Sequence, residues 1–526
     1  MVRILLINPP WARNVEPPLG LGLIQAAIRE TARAAGRTAV VRIVDANALA
    51  AGSIARAATS DGSTRMHRAI LHRDRVLMEL LSDQAYRSPR VYTRTMSVYA
   101  DLLRGFSASH PARITPGDYR DPRFPDYGPD TVHRLVSGPE RHPVIDRVMP
   151  EIHRAIEAVA PSNIGLSITY RSQFVLGIVL AQAIRRNYPT IALHLGGACL
   201  ACLPEATIDA LTDIGFNPTP GPGEPVFQAL TQALTDPDNR PQTPSPGTVR
   251  IPFFMPDFTG IDFGRYFAPV PVIPLISSRG CYWSRCRFCD ECRDPFEMDE
   301  PAAFLARFRR VQSLAPGAMI HITDNAIPPA MLNTLRTQRP GIPWYGFVRP
   351  SRELTDRRYT AELAESGCRM LQIGFESPVP AVLERMGKGV DPDWYPSILA
   401  SLRSAKIRSF AYLMFGFPGQ TLEDNRKTID FLIAHPPDFM NVSIFRMPPG
   451  SPLSRELSRE SETEGPPVPL TDRLYRAPSV DSVPLPVLRR WIDSEFLDHP
   501  AIRSIKQKTP PLYKSSHAAF LNSLEM

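Results

Sequence analysis

No stretch of this 526-residue chain approaches the ~18 consecutive apolar residues that a membrane-spanning helix needs. The longest apolar candidate, 174–184, has the length of a core helix. The opening MVRILLINPP runs straight into a strand-like segment, without the longer apolar stretch and cleavage site of a secretory signal, so a cytoplasmic location is expected. Charge of one sign is not in great excess: 60 Lys and Arg against 53 Asp and Glu leave a net +7. That suits anionic ligands and is a weak footprint for nucleic acid. Neither a membrane nor a nucleic acid is expected as a partner. A disulfide framework is also missing. The 7 cysteines are odd in number, and Cys281, Cys286, Cys289 and Cys292 crowd into one short segment. In a large chain this argues for thiolate–metal chemistry in a reducing compartment.

What the chain does have is a globular balance, 43% hydrophobic and 21% charged, and a length that predicts three or four structural units. Its 56 prolines are about twice the usual ~5% and foretell long, stiff, irregular connections. VRILLI (2–7) reads as a buried strand ended by NPP. PPLGLGLIQAAIRETARAAG (17–36) reads as a helix, and AVVRIVDAN as a second strand closing on Asp45. This βαβ unit implies a parallel sheet. Residues 51–150 break the pattern: helical stretches near 65–84 and 91–104, then a Pro/Asp/Arg-rich run at 111–143, read as a helical and irregular insertion. Alternation resumes over 151–235 with the strands NIGLSIT and TIALHLGG and a glycine loop, NPTPGPGE, opening a further helix. Residues 236–272 read as a linker. From 273 to 455, six strand segments (274–279, 318–323, 344–348, 370–375, 410–416 and 441–446) alternate with helices, which suggests a curved parallel sheet or partial barrel. The tail, 456–526, is helical in patches.

Parallel sheets bind ligands beyond the carboxyl ends of their strands. In the first series those ends carry small or polar residues at 167–169, 196–198 and 221–224. Such residues let a bulky ligand approach the backbone, or are ordinary turn residues. The second series carries SRGCYWSRCRFCDEC (278–292) directly after its first strand. Cys281, Cys286 and Cys289, spaced C-x4-C-x2-C, can grip three corners of a 4Fe–4S cubane and leave one iron open. Cys292 could add a fourth ligand or make a four-cysteine zinc site, but structural zinc sites pair two separated knuckles and this chain has no second one. Cys199, Cys202 and Cys368 read as small buried residues.

The cysteine loop resembles that of the radical S-adenosylmethionine (SAM) enzymes. Their usual spacing is C-x3-C-x2-C with an aromatic before the last cysteine. Here Phe288 takes the aromatic place and one residue is added between the first two cysteines, a form that looks like a variant among cobalamin-linked members. GFES (374–377), LERMGKG (383–389), LMFGFPGQTLED (413–424) and MPPGSPL (447–453) are similar to family motifs. INPP, PPLGLG, VDAN, the GG after TIALHL and GPGE resemble the cobalamin-binding domain that precedes the radical domain.

The resemblance implies an α/β protein. A Rossmann-like doubly wound sheet of the cobalamin-binding type (1–50 and 151–235) would precede a partial (β/α)6 TIM-like barrel of the radical SAM type and a small helical C-terminal region. It implies a 4Fe–4S cluster on Cys281, Cys286 and Cys289 whose open iron chelates SAM, giving a 5′-deoxyadenosyl radical after one-electron reduction. Around SAM it places Phe288 as a shield, with Tyr282 and Trp283 doing likewise or packing. Asp324 and Asn325 would lie near the methionine amino group, and Arg349 against the carboxylate. Glu376 would sit on the ribose or amino group, or form a structural salt bridge. Arg446 and Met447 would lie near the adenine, or pack a loop. Around cobalamin it places Asn8, Pro9, Ser167, Thr169, Gly196, Gly197, Gly221 and Glu224. The chain lacks D-x-H-x-x-G, so no axial histidine is implied, and His194 reads as core. The implied activity is methylation of an unactivated carbon of a small-molecule or peptide substrate, with flavodoxin or ferredoxin as electron donor. Cyclisation or rearrangement, or a non-catalytic iron–sulfur or metal-binding regulator, are the alternatives.

Overall fold

A computed structural model describes residues 1–108, 110–138, 141–236, 250–290, 295–448, 451–461 and 483–508. The chain divides into two compact units, Met1–Val272 and Ile273–Met526.

The first unit is built on a five-stranded parallel sheet. Its strands are β1 (Val2–Asn8), β2 (Ala39–Asp45), β5 (Asn163–Ser167), β6 (Ala192–Gly196) and β7 (Asn217–Pro218), in the order β2-β1-β5-β6-β7. β1 is central and buried on both faces, hence its unbroken run ILLI. Asn8 of β1 pairs in register with Asp45 of β2, so both polar residues reach the same sheet edge. The chain reverses direction across the sheet between β1 and β5, which puts the topological switch point at Asn8 and Ser167. Helices α1 (Leu19–Ala34), α8 (Arg171–Asn187) and α9 (Glu205–Asp213) supply crossovers, and α10 (Gly223–Thr235) follows the last strand.

Between β2 and β5 the insertion contains α2 (Ala46–Arg56), α3 (Thr64–Leu71), α4 (Arg73–Leu80), α5 (Pro89–Ser107), α6 (Pro129–Ser137) and α7 (Pro143–Val159). Tyr86, Tyr92, Met96, Tyr99 and Leu102 give it a buried core of its own. The run at 111–143 is less irregular than its composition suggests. It holds an antiparallel hairpin, β3 (Arg113–Thr115) with β4 (Asp118–Arg120), and Trp11 donates its indole N–H to the Thr115 carbonyl at 2.6 Å. The stretch read as a linker is different again. Residues 237–249 lie outside the described set, but 250–272 pack onto the first unit. The Phe258 ring fills the space that a Cβ on Gly22 would need, Gln25 donates to the Asp257 and Thr259 carbonyls, Arg29 pairs with Asp257, and the Tyr266 hydroxyl reaches Asp45 at 2.7 Å. A proline-rich strap without periodicity looks like a linker in sequence because its contacts are made by single, widely spaced side chains.

The second unit is a six-stranded sheet in which consecutive strands are neighbours. They are β8 (Val272–Leu275), β11 (Met319–Ile322), β12 (Trp344–Val348), β13 (Cys368–Glu376), β14 (Arg408–Phe415) and β15 (Phe439–Ile444). Helices α11 (Pro301–Leu314), α12 (Pro329–Gln338), α13 (Arg357–Glu365), α15 (Trp394–Ser404) and α16 (Leu422–Ala434) alternate with them, the (β/α)6 pattern of a partial barrel. β13 is buried along almost its whole length, as a central strand covered on both faces must be. A short ladder of β9 (Ser278–Arg279) with β10 (Glu297–Met298) brackets the cysteine loop. Within the tail, Trp491 and Phe496 pack edge-on against Phe415 of β14. Residues 462–482 and 509–526 of that tail lie outside the described set.

Candidate active site

All the second-unit candidates lie at or just after carboxyl ends of strands or on the loops that follow them. The cysteine loop starts after β8 and is pinned at its root by Asp324, which follows β11. The buried Asp324 carboxylate accepts the Ser277 and Ser278 backbone N–H groups at 2.7 and 3.1 Å and the Ser277 hydroxyl. Burial pushes its carboxyl up to about 6, against the pull of those hydrogen bonds. Asn325 donates to the Gly280 carbonyl at 3.4 Å. Both residues, expected near the methionine amino group, also hold the root of the cysteine loop in place.

The far side of the loop is clamped by the RMGKG turn (385–389) that follows α14 (Pro380–Arg385). The Arg287 N–H donates to the Met386 carbonyl at 2.9 Å, the Trp283 indole to the Gly387 carbonyl at 2.9 Å, and the Arg287 guanidinium to the Arg385 carbonyl at 3.3 Å. The Trp283 ring lies where a Cβ on Gly389 would fall, 1.9 Å from the nearest ring atom, and the φ of Gly389 is +60°. Trp283 therefore packs rather than facing open space.

Lys388 of this turn is the residue that motif reading passed over. It is buried, and its Nζ donates to Glu376 Oε1 at 2.9 Å, both side chains less than 10% exposed. Glu376 ends β13 with φ +58°, the left-handed region that few non-glycine residues adopt. The structural salt bridge is in place, on one carboxylate oxygen. The Lys388 ammonium also stands 5.7 Å from the centre of the Phe288 ring. Phe288 and Met447 pack on a buried apolar cluster of Val379, Val382, Met386, Phe417 and Leu453, whereas Arg446 is exposed.

Arg349, after β12, is buried too. Its Nη1 points at Cys286 Sγ at 3.7 Å, its Nη2 donates to the Lys388 carbonyl, and its guanidinium lies 4.3 Å from the centre of the Trp283 ring. Cys286 is buried, and burial pushes its thiol up while Lys388 and Arg349 pull it down. Cys281 and Cys289 are half-buried on the same loop. Cys292 lies outside the described residues. Among the described residues no three His, Cys, Asp or Glu side chains converge tightly enough to ligate one metal ion. A cubane asks for something else, thiolates spread over its separate corners. Three cysteines on one clamped loop, the buried one flanked by two cations, suit that group better than a mononuclear ion.

At the carboxyl edge of the first unit, the organising residue is Gln173, also unforeseen. Its amide N–H groups donate to Asn8 Oδ1 at 2.9 Å and to the Pro9 carbonyl at 2.6 Å, and its oxygen accepts from the Thr169 and Tyr170 N–H groups at 3.0 and 2.9 Å. Asn8 in turn donates to Asp45 at 2.9 Å. Asn8 and Pro9 are thus tied into the switch point by Gln173. Ser167 and Thr169 face each other, hydroxyl to hydroxyl, at 3.3 Å. Gly197, with φ +103°, is required by the chain itself, since a Cβ would meet the Ile168 carbonyl at 2.5 Å. Gly196 has nothing closer than 3.9 Å and Gly221 nothing within 4 Å, so here the backbone can be approached by a broad ligand. Glu224 is buried in the first turn of α10. His194 sits inside β6, with Nε2 2.9 Å from Asn163 Oδ1, and burial holds its ring below the usual histidine range. It is half-buried within the sheet and packs on Phe227.

Residues 275–432 match the model of the Radical SAM superfamily, so the second unit carries a radical SAM domain. Two curated relatives bear methyltransferase names. The bacteriochlorophyllide d C-12(1)-methyltransferase of Chlorobaculum tepidum is 31% identical over 119 residues, 22% of this chain and 26% of that protein. An uncharacterised methyltransferase of Pyrococcus horikoshii is 23% identical over 343 residues, 59% of this chain and 72% of the other. The match therefore spans only about a quarter of the first relative. Among solved structures, the radical SAM methyltransferase TsrM from Kitasatospora setae, with cobalamin and a [4Fe–4S] cluster bound, matches with a TM-score of 0.53 at 16% identity, over 89% of this chain and 80% of that one. The cobalamin-dependent SAM radical enzyme OxsB matches at 0.55 and 13%, over 94% and 67%. The protein has the fold of these cobalamin-dependent radical SAM enzymes. Among the described residues, no helix is long and apolar enough to cross a membrane.

Proposed function

We propose that this chain is a cobalamin-dependent radical SAM methyltransferase acting on an unactivated carbon of a small-molecule or peptide substrate. The observation that carries the reading is the three-cysteine loop clamped at the carboxyl end of β8, with Cys286 beside Arg349 and the buried Lys388–Glu376 pair. Cys281, Cys286 and Cys289 would hold the cluster. Bound there, cluster and SAM supply one-electron cleavage of the sulfonium C–S bond, and cobalamin supplies a carrier for the methyl group.

The chain's own part is positional. Asp324 fixes the root of the loop, the RMGKG turn fixes its far side, and the Phe288–Met447 cluster keeps water from that flank. Glu376 keeps Oε2 for a ligand donor while Oε1 is held by Lys388. In the first unit, cobalamin would lie on the carboxyl edge near Gly196 and Gly221, over a floor stiffened by Gln173. His194 is held inside β6 by Asn163 and is given no part in binding the cofactor. A low-potential donor of the flavodoxin or ferredoxin class would deliver the electron.

The direct test is anaerobic reconstitution of the full chain with iron, sulfide and hydroxocobalamin. The wild type is expected to bind both cofactors. The variant with C281A, C286A and C289A together is expected to lose the brown cluster absorbance and all 5′-deoxyadenosine formation, while keeping cobalamin. A triple variant that retained the cluster would refute the ligand set.

A further inference from the structure

The resemblance to known enzymes assigns Arg349 to the SAM carboxylate, yet its position says something more specific. A guanidinium carries five N–H donors in a rigid fork. Here the fork is immobilised on two sides without any ligand: the Lys388 carbonyl takes Nη2, and the Trp283 ring lies against the face. Trp283 is itself fixed, its indole bonded to the Gly387 carbonyl and its ring seated on Gly389. The result aims Nη1 at Cys286 Sγ, 3.7 Å away, with both residues buried.

We propose that Arg349 is a positioning residue for the cluster itself, an outer-sphere donor to the Cys286 thiolate that sets how readily the cluster takes an electron. The inference rests on the reading of Cys281, Cys286 and Cys289 as cluster ligands. Its physical basis is simple. Reduction adds one electron and no proton to the cluster, so it increases the negative charge shared by the ligand sulfurs. A cationic hydrogen bond to one of those sulfurs stabilises the reduced form more than the oxidised form, and burial keeps that interaction from being screened. Removing the donor therefore lowers the potential.

The test uses the full chain, reconstituted anaerobically, without SAM. Iron and sulfide are counted first. The protein is then poised with dithionite and viologen mediators, which supply the electron, and the reduced cluster is read by electron paramagnetic resonance. In R349Q the iron content is expected to match the wild type, and the ratio of reduced to oxidised cluster at a given potential to fall about tenfold, equivalent to 59 mV for one electron. R349K, which keeps the charge and loses the fork, is expected to recover part of the shift. W283L leaves the guanidinium in place without the ring that fixes it. Its cluster-loaded fraction, normalised to iron content, is expected to shift the ratio the same way by less, and it provides the reading should R349Q fail to fold. An unchanged ratio in a fully loaded R349Q overturns the proposal. Loss of the cluster in R349Q overturns it too, because Arg349 would then hold the loop rather than tune the sulfur. A wild type that takes up no cluster refutes instead the functional reading beneath it.

Discussion

Glu376 and Lys388 show how one residue's environment changes its role. A buried carboxylate at a strand end was expected to find its donors on a bound ligand. The structure supplies one from the chain, twelve positions on, and leaves the pair nearly dry. Breaking such a pair strands a buried charge and typically costs about 3–5 kcal/mol, whereas neutralising both partners together costs far less. K388M is therefore expected to destabilise the protein by about that amount, and E376Q/K388M to be more stable than K388M alone. Urea unfolding of the four proteins of this cycle decides it: additive losses would mean that the two side chains do not act as a pair. Lys388 was not legible in sequence because a lone lysine in a glycine turn looks like a solvated one. Only the tertiary path of β13 brings Glu376 beneath it.

At the scale of elements, much of the second unit was legible. Strand β12 lies where WYGFV placed it, and four of the others differ only at their ends, where hydrogen bonding extends or trims an apolar run; the segment 274–279 meets β8 only at 274–275, and its last two residues pair instead in β9. What periodicity could not give is how irregular segments dock. The strap 250–272, the β3–β4 hairpin and the RMGKG turn carry too few residues per contact to leave a pattern. The turn makes the sharpest case. Gly389 combines φ +60° with a ring at 1.9 Å from any added Cβ, so an alanine there meets both backbone strain and a clash. G389A is expected to displace Trp283 and loosen the cysteine loop. Iron retained per chain after reconstitution and desalting should fall well below the wild-type value. Full iron content in G389A would show that the loop holds its cluster without this clamp. The same logic separates the glycines of the first unit: Gly197 is demanded by the Ile168 carbonyl, while Gly221 faces open space and is free to serve a ligand.

On the scale of the whole molecule, a doubly wound sheet precedes a (β/α)6 sheet, and each presents its candidate residues at the carboxyl ends of its strands. That placement was readable because strand ends in parallel sheets are marked by small and polar residues following apolar runs. The insertion over 51–150 gave no such marks, since its helices bury their own aromatic core and their sequence speaks of that packing alone. The central claim is that the chain takes a methyl group from SAM and also cleaves SAM reductively. The most direct measurement is mass spectrometry of the fully loaded protein given SAM with a deuterated methyl group and a low-potential reductant. The account predicts S-adenosylhomocysteine, deuterated methyl in the cobalamin fraction, and 5′-deoxyadenosine. Protein carrying both cofactors that formed 5′-deoxyadenosine, but neither S-adenosylhomocysteine nor labelled cobalamin, would contradict it.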